Sequence, residues 1–436
     1  MTTLNAPDLP STPDAGGESV RDTAAAIATQ VTEHLAADPS GAVNPGRAAD
    51  AVDMILEQRA RAALSEGTRA LLTPQDETRL RRLVLDRVLG LGPIEELLCE
   101  PGVENIHITG NDDAIVDFGA GRRERRPAVV HTDIELVALV QRAAARASGG
   151  ERRFDAAAPI LSMELSGGER LSAVMPGVAV RPTVTIRRHP QHHLRLSDLL
   201  RSGTLDQSSR NLLVAAVRAR LNIIVSGATN AGKTTLLRAL LGTLDEERII
   251  TVEDSLELGL HRHMSEADVV PLQGRPPNVE GIGEVTLAEL VRAALRMCPD
   301  RVIVGETRGP ETLALLNAMS MGTDGSMSTI HASSSQQVFT KIAAYCAQAP
   351  ERLTASATAT LIGASVHLVA HIDTTSTGER VVTNIREVVG AEGEQVLSNE
   401  LYTRPVDEPT GTTVCAPGGD IGRRLERAGY TAGGWT

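Results

Sequence analysis

Two stretches near the start of the chain place apolar residues three or four positions apart. They are AADAVDMILEQRARAAL and ETRLRRLVLDRVLGL, and this spacing is typical of helices that bury one face. Residues 1–20 lack the pattern, because they are rich in Pro, Ser, Asp, Thr and Gly and hold few large apolar side chains. We therefore predict a disordered tail over 1–20 and a helical N-terminal region over 21–98.

The apolar pattern then changes to short β-branched runs. NIHITG (105–110) and TVTIRRH (183–189) are such runs, Gly-rich turns separate the runs in this region, and one helical stretch lies near residues 132–147. This arrangement predicts an α+β domain over 99–190. We interpret residues 191–210 as a linker into the next domain.

The second half of the chain alternates apolar runs with helical stretches. NIIVS, RIITV and RVIVG are continuous apolar runs, which are typical of a mainly parallel sheet covered by helices on both faces. VHLVAHI and ERVVTNIREVVG predict late antiparallel strands. We therefore predict an α/β fold for residues 211–405, followed by a C-terminal extension over 406–436.

Composition narrows the possible functions. The net charge of −12, the pI near 5.5 and the aromatic content of 2% provide neither a general basic field nor stacking platforms for bases, so no nucleic-acid partner is expected. The sequence holds no apolar run long enough to span a bilayer, so we expect any membrane contact to be indirect. The four cysteines are widely scattered, which suits a reducing, cytoplasmic setting.

One short segment carries the strongest chemical signal. Residues 227–235, GATNAGKTT, follow the run NIIVS and precede a leucine-rich helix, and they match the phosphate-binding pattern G-x-x-x-x-G-K-[ST]. In that pattern the lysine reaches the β- and γ-phosphates and the following hydroxyl binds Mg²⁺. The predicted ATP-binding residues of this segment are Gly227, Ala228, Thr229, Asn230, Ala231, Gly232, Lys233, Thr234 and Thr235.

The segment LSGGER (165–170) resembles the signature of ABC-transporter ATPases. In those proteins the signature follows the P-loop, whereas here it precedes it. The surrounding LSMELSGGERLSAV alternates around a Gly-Gly pair as a β-hairpin does. The order of the motifs excludes the ABC interpretation and leaves a predicted hairpin.

Two carboxylates end apolar runs downstream of the P-loop. Glu253 follows RIITV and Glu306 follows DRVIVG, and the carboxyl ends of parallel strands line the ligand crevice. One carboxylate would help Thr234 to hold Mg²⁺ and the other would orient the attacking water, and we assign the metal to Glu306. Capping of the next helix is the alternative role for either. His331, in GSMSTIHA, is a candidate γ-phosphate contact or an ordinary strand-end histidine.

Taken in order, four segments resemble the type II/type IV secretion ATPase superfamily. They are GATNAGKTTLLRALL, RIITVEDSLEL, LRMCPDRVIVGETRG and GSMSTIHA. The closest resemblance is to the CpaF-like branch, the assembly ATPases of Flp/Tad pili. It extends to VLGLGPIEELL, ERLSAVMP, TVTIRR and ERVVTNIREVV, and so covers roughly residues 80–400.

The resemblance implies a RecA-like P-loop motor domain, an α+β N-terminal domain, a hexameric ring and ATP sites between the two domains. It places Glu253 and Glu257 in the Asp box, Glu306 as the Walker B glutamate and His331 in the His box. This sequence departs from the family pattern at four positions. Asn230 replaces a usual glycine, Thr323 replaces the early His-box histidine, and a usual Asp and Arg are replaced by Ser162 and Glu164.

Two arginines remain at family-like positions of the N-terminal domain. They are Arg170 and Arg187, and either could complete the ATP site of a neighbouring subunit by cancelling phosphate charge, as arginine fingers do. The alternative is that they are surface arginines or pair across a hairpin.

The expected function is that of a Mg²⁺-dependent ATPase acting as a homohexamer. It would lie in the cytoplasm against the inner face of the cytoplasmic membrane. There it would drive a polytopic membrane platform protein that extrudes a pilus or a secreted protein. Two alternatives stay open: a conjugation-type motor that moves DNA, and a regulatory scaffold that binds ATP with little turnover.

Overall fold

The computed structural model divides the chain into two compact units, Met1–Arg188 and His189–Thr436. The residues that it describes are 15–37, 45–65, 74–119, 121–146, 153–165, 167–188, 194–264, 266–277 and 281–431. Residues 1–14 of the predicted disordered tail lie outside the described residues. So do residues 191–193 of the predicted linker and residues 432–436 of the predicted C-terminal extension.

The first unit begins with three helices that share a core of their own. Its helices are α1 (Ala15–Ala37), α2 (Pro45–Ser65), α3 (Pro74–Leu89), α4 (Pro93–Cys99) and α5 (Asp133–Arg146). Ile27, Val52 and Val84 are fully buried where α1, α2 and α3 pack together. The helix α1 begins at Ala15, so residues 15–20 (AGGESV) of the segment that we predicted to be a tail are helical, which their low content of large apolar residues did not indicate.

A six-stranded antiparallel sheet follows these helices. Its strands are β1 (Asn105–Thr109), β2 (Ala114–Asp117), β3 (Arg123–Arg126), β4 (Ile160–Glu164), β5 (Arg170–Val174) and β6 (Thr183–Arg187), in the order β3-β2-β1-β6-β5-β4. Alternate residues such as Ile106 and Ile186 pack against Leu136 and Val140 of α5. The strands β4 and β5 form the hairpin that the alternation around the Gly-Gly pair predicted.

The second unit is built on a nine-stranded sheet. Its strands are β7 (Ile223–Gly227), β8 (Arg248–Glu253), β9 (Asp268–Gln273), β10 (Arg301–Thr307), β11 (Met327–His331), β12 (Leu368–Thr374), β13 (Arg380–Glu392), β14 (Gln395–Thr403) and β15 (Thr412–Thr413). The order is β15-β14-β13-β12-β7-β11-β10-β8-β9. The strands β7 to β12 pair in parallel, and β13 to β15 are added antiparallel, as the two late runs predicted.

Helices cover both faces of this sheet. They are α6 (Leu196–Arg201), α7 (Gln207–Arg218), α8 (Lys233–Leu241), α9 (Leu287–Ala294), α10 (Glu311–Ser320), α11 (Gln337–Cys346), α12 (Ala355–Ser365) and α13 (Gly419–Arg427), with a 3₁₀ turn at Leu260–Arg262. In β7, Ile223 and Val225 face the core under α6, α7, α8 and α13, whereas Ile224 faces the core under α9 to α12. None of the helices that the structure describes, in either unit, is long and apolar enough to span a membrane.

The structure differs from the prediction in the segment interpreted as a linker, residues 191–210. This segment contains α6 and the start of α7, and Leu196, Leu199 and Leu205 are buried in the core of the second unit. The helix α6 has only six residues, which is too short for apolar periodicity to show in the sequence. Residues 196–205 therefore belong to the folded body of the second unit.

Candidate functional site

Four neighbouring strands of the nine-stranded sheet end along one edge. The strands β7, β11, β10 and β8 are parallel neighbours in that order, so their carboxyl ends lie side by side. The residues at or next to these ends are Gly227, His331, Glu306 and Glu253. The structure thus brings together the strand ends that we selected from the sequence.

The loop from β7 into α8 depends on two glycines and an asparagine. A Cβ atom on Gly227 would lie 2.3 Å from the carbonyl oxygen of Ile372 in β12, so no larger residue fits there. Gly232 has a left-handed backbone with φ of 96°, and Asn230 has φ of 66°. Asparagine adopts this conformation more readily than most residues, which explains how it can stand where a glycine is usual. The loop then enters α8 at Lys233, where free backbone N–H groups favour an anion.

The side chain of Lys233 joins the loop to the neighbouring strands. Its Nζ donates to the carbonyl oxygen of Ala228 at 2.7 Å and lies 3.1 Å from Nδ1 of His331. On the other side of the ring, Nε2 of His331 lies 3.0 Å from Oε1 of Glu306. Three of the predicted site residues therefore form one connected chain of polar contacts.

The ionisation of His331 follows from its neighbours. Burial and the positive charge of Lys233 lower its pKa, and Glu306 only partly opposes this. The imidazole is therefore neutral at neutral pH. Because the Lys233 ammonium can only donate, Nδ1 accepts from it, and the proton on Nε2 is donated to Glu306. The contacts on both sides thus select a single tautomer.

Glu253, the last residue of β8, is buried at the same end of the parallel strands. It is only 3% exposed, and its carboxylate accepts hydrogen bonds from the Leu258 backbone N–H at 2.8 Å and from Thr251 Oγ1 at 3.2 Å. A Cβ on Gly305 would lie 2.9 Å from Cγ of Glu253, so the glycine before Glu306 leaves room for this side chain. Burial, assisted by the charge of Glu257, raises the pKa of Glu253 to about 7. In this structure Glu253 therefore braces the turn after β8.

We predict that Glu253→Gln changes the pH dependence of stability. The folded-state pKa of Glu253 lies above the ordinary value, so the stability that its protonation contributes is lost as pH rises from about 4.5 to 7. Glutamine has no such loss. The free energy of unfolding of the variant minus that of the wild type should therefore be about 1–3 kcal/mol larger at pH 8 than at pH 5, so the variant is relatively more stable at the higher pH. Urea titrations at both pH values measure this difference. The exposed turn residue Glu394 supplies the control, Glu394→Gln, and equal differences for the two variants would contradict the prediction.

Glu257 follows Glu253 in the same loop and faces the helix after the P-loop. Burial lowers the pKa of Arg238 in α8, and the charges of Glu253 and Glu257 act in the opposite direction. The remaining P-loop residues occupy the loop itself or the first turn of α8. Those in the loop are Ala228, Thr229 and Ala231, and those in α8 are Thr234 and Thr235.

Arg170 and Arg187 belong to the first unit. They are directly opposite each other on the neighbouring strands β5 and β6, and Nε of Arg170 donates to Ser162 Oγ at 3.4 Å. A role for either arginine toward a nucleotide stays a prediction.

Thr323 does not share the edge of the sheet that carries His331. It lies in the turn before β11 begins at Met327, and its carbonyl oxygen accepts a hydrogen bond from Ser326 Oγ at 2.8 Å. Since His331 ends β11, the two residues lie at opposite ends of that strand. A histidine at position 323 would therefore not join the cluster around Lys233 within the same subunit.

Sequence reasoning missed two polar pairs near the site. Arg308 donates to Asp254, and this pair links the loops after β10 and β8. In addition, Ser226 Oγ and His371 Nδ1 are 2.9 Å apart and buried beneath the P-loop. The arginine in GETRG was a visible signal, because it follows Glu306 by two residues. His371 gave no such signal, because its run VHLVAHI reads only as a strand.

Comparisons with known proteins agree with this architecture. A family model described as "Type II/IV secretion system protein" matches residues 89–425. A putative conjugal transfer protein of Mycobacterium tuberculosis is 37% identical over 321 residues, which are 72% of this chain and 88% of the relative. The probable conjugal transfer protein TrbB of Sinorhizobium fredii is 32% identical over 267 residues, 59% of this chain and 76% of the relative.

A solved structure shares the fold. The Legionella pneumophila ATPase DotB is 20% identical, covers 72% of this chain and 82% of its own, and superposes with a TM-score of 0.50. The predicted fold class, a RecA-like P-loop domain with an α+β N-terminal domain, is confirmed.

Proposed function

The chain belongs to the type II/IV secretion system protein family, and from this premise we propose that it is a Mg²⁺-dependent ATPase that powers a secretion or pilus machine. The observation that carries the proposal is the contact chain from Lys233 through His331 to Glu306. It joins a phosphate-binding cation to a carboxylate able to act on water. A scaffold that binds ATP with little turnover would not need that carboxylate.

The residues at this edge fit a nucleotide with its metal ion. The N-terminus of α8 and the ammonium of Lys233 would hold the phosphates, and the hydroxyl of Thr234 would bind the ion. Mg²⁺ neutralises charge on the phosphates when it is bound, and it commonly combines one or two protein oxygens with water and phosphate ligands. Glu306 would contact the ion or orient the attacking water. His331, as a neutral donor through Nε2, holds the Glu306 carboxylate in place.

At the finer level we propose a homohexamer at the inner face of the cytoplasmic membrane, acting on a polytopic platform protein. The resemblance of the sequence to the CpaF-like branch supports a Flp/Tad-type pilus as the cargo. A conjugation-type motor is the second candidate. The similarity to two conjugal transfer proteins favours it.

A steady-state assay of phosphate release tests the proposal. We expect turnover with ATP and Mg²⁺, none with EDTA, and stimulation by anionic lipid vesicles that present the platform protein. Stimulation by duplex or single-stranded DNA instead would favour the conjugation-type motor. Binding of ATP without turnover under every condition would favour the scaffold and contradict the proposal.

We predict that Arg187 or Arg170 acts across a subunit boundary. Arg187→Ala and Lys233→Ala should each be inactive alone, because one lacks the arginine and the other lacks the phosphate-binding lysine. In an equal mixture about one interface in four joins an intact P-loop to an intact arginine, since each is present in half of the subunits. Phosphate release should therefore recover to about a quarter of the wild-type rate. The same experiment is done with Arg170→Ala mixed with Lys233→Ala. If neither mixture releases more phosphate than its two variants do separately, neither arginine acts across subunits.

A further inference from the structure

The hairpin formed by β12 and β13 packs directly against the P-loop. The strand β12 is the parallel neighbour of β7, and the carbonyl oxygen of Ile372 occupies the space that a side chain on Gly227 would need. The Cδ1 atom of Ile372 would lie 3.5 Å from a Cβ on Gly232. One residue of the hairpin therefore contacts both ends of the phosphate-binding loop.

The next strand of the hairpin brings an arginine to the same place. Arg380 begins β13 opposite Thr374, and its Cδ and Nε atoms would lie 3.0 and 3.8 Å from a Cβ on Gly232. Gly232 is the residue immediately before α8. The guanidinium is thus held next to the N-terminus of the helix that starts with Lys233.

The electrostatics of this position are unfavourable without an anion. A helix N-terminus carries a partial positive charge, and Lys233 adds a full one, so a second cation there is repelled. Within the part of the chain that the structure describes, the guanidinium of Arg380 forms no hydrogen bond or ion pair. Arg380 is half-buried, and none of its nitrogens is a buried atom without a partner, so its five N–H donors are open to solvent. A bound anion could take the place of water on these donors and offset the local positive charge.

We propose that Arg380 is a nucleotide-binding residue that contacts the α- or β-phosphate of the bound nucleotide. The inference rests on the proposed ATP-binding function of the P-loop, and it adds a binding group that lies outside the P-loop, the two strand-end carboxylates and the histidine.

The strand order decides which phosphates Arg380 meets. The strand β7 lies between β12 on one side and β11 and β10 on the other. His331 and Glu306, the residues proposed to face the γ-phosphate, come from β11 and β10. Arg380 approaches Gly232 from the β12 side, so it meets the part of the nucleotide farther from the γ-phosphate. ATP and ADP share that part.

Titration calorimetry with ATP and with ADP, both in the presence of Mg²⁺, tests the proposal on the full-length protein. Arg380→Ala should weaken both nucleotides by a similar factor, roughly ten- to hundred-fold, as expected for the loss of a charged hydrogen bond. Arg380→Lys keeps the charge but not the paired donors, so it should bind with intermediate affinity. The control is Arg427→Ala, which removes an exposed arginine from α13, and it should leave both affinities unchanged.

The outcomes separate this inference from the proposed function. If the wild type binds neither nucleotide, the ATPase proposal fails first. If the wild type binds both and Arg380→Ala binds them equally well, the assignment of Arg380 is wrong. If Arg380→Ala loses affinity for ATP but not for ADP, Arg380 contacts the γ-phosphate, and the placement inferred from the strand order is wrong. A lower melting temperature of ligand-free Arg380→Ala would mean that its weaker binding could reflect lost stability, and the test then rests on Arg380→Lys. If Arg380→Lys has the stability and the nucleotide affinity of the wild type, a guanidinium is not needed and the assignment is overturned.

Discussion

Lys233→Ala should abolish ATP hydrolysis. The ammonium of Lys233 is the cation that begins α8, and it is held between the Ala228 carbonyl and His331, ready to meet a phosphate. Removing a group that stabilises charge in the transition state costs roughly two to three orders of magnitude in rate. The loss should be larger here, because the same lysine also holds the bound nucleotide. Phosphate release under saturating ATP measures the effect.

The sequence offers a matched control for this variant. Lys341, in α11, is the only other lysine in the chain, so Lys341→Ala removes the same side chain away from the P-loop. Its turnover should equal that of the wild type. If Lys233→Ala kept near wild-type turnover, the P-loop would not be the site of hydrolysis, whatever the behaviour of the control.

Glu306→Gln should separate binding from chemistry. Glutamine keeps the shape of the side chain and an oxygen that can accept the hydrogen bond from His331 Nε2, so the folded site should survive. It cannot accept a proton from water, and loss of a general base costs roughly a hundred- to ten-thousand-fold in rate. ATP affinity should therefore stay within a few-fold of the wild type while turnover falls by orders of magnitude.

Calorimetry and single-turnover hydrolysis measure the two quantities on the same preparation. Glu379→Gln, in the exposed turn between β12 and β13, is the control and should change neither quantity. Parallel losses of affinity and turnover in Glu306→Gln would make Glu306 a structural residue. Full turnover in that variant would transfer the role to another carboxylate, with Glu253 as the first to examine.

The fold and the ends of its central strands could be predicted from local patterns. The continuous apolar run NIIVS predicts a strand. The residues from Gly227 onward and the leucine-rich stretch after them predict a turn and a helix. The rule that parallel strands place their carboxyl ends at one edge then places His331 and Glu306 beside the P-loop without any knowledge of contacts. The prediction was weaker for residues 191–210, where a helix of six residues is too short to show a period.

Long-range packing set the chemistry of individual groups. The sequence could not show that Gly305 makes room for Glu253, or that burial raises the pKa of that carboxyl to about 7, because both depend on two strands distant in the chain. The neutral tautomer of His331 likewise follows from Lys233 and Glu306 reaching it from different elements.

The same division applies to residues whose surroundings the sequence did not show. The resemblance assigned Thr323 and His331 to one motif, and only the structure shows that they lie at opposite ends of the five-residue strand β11. Arg380 had no motif to mark it, and only the pairing of β12 with β7 brings it to Gly232. Periodicity and motif spacing depend only on residues that are close in the sequence, so both can be determined from the sequence alone. Burial, charge pairing and proximity are properties of the folded sheet, because they arise between residues that the chain itself keeps far apart.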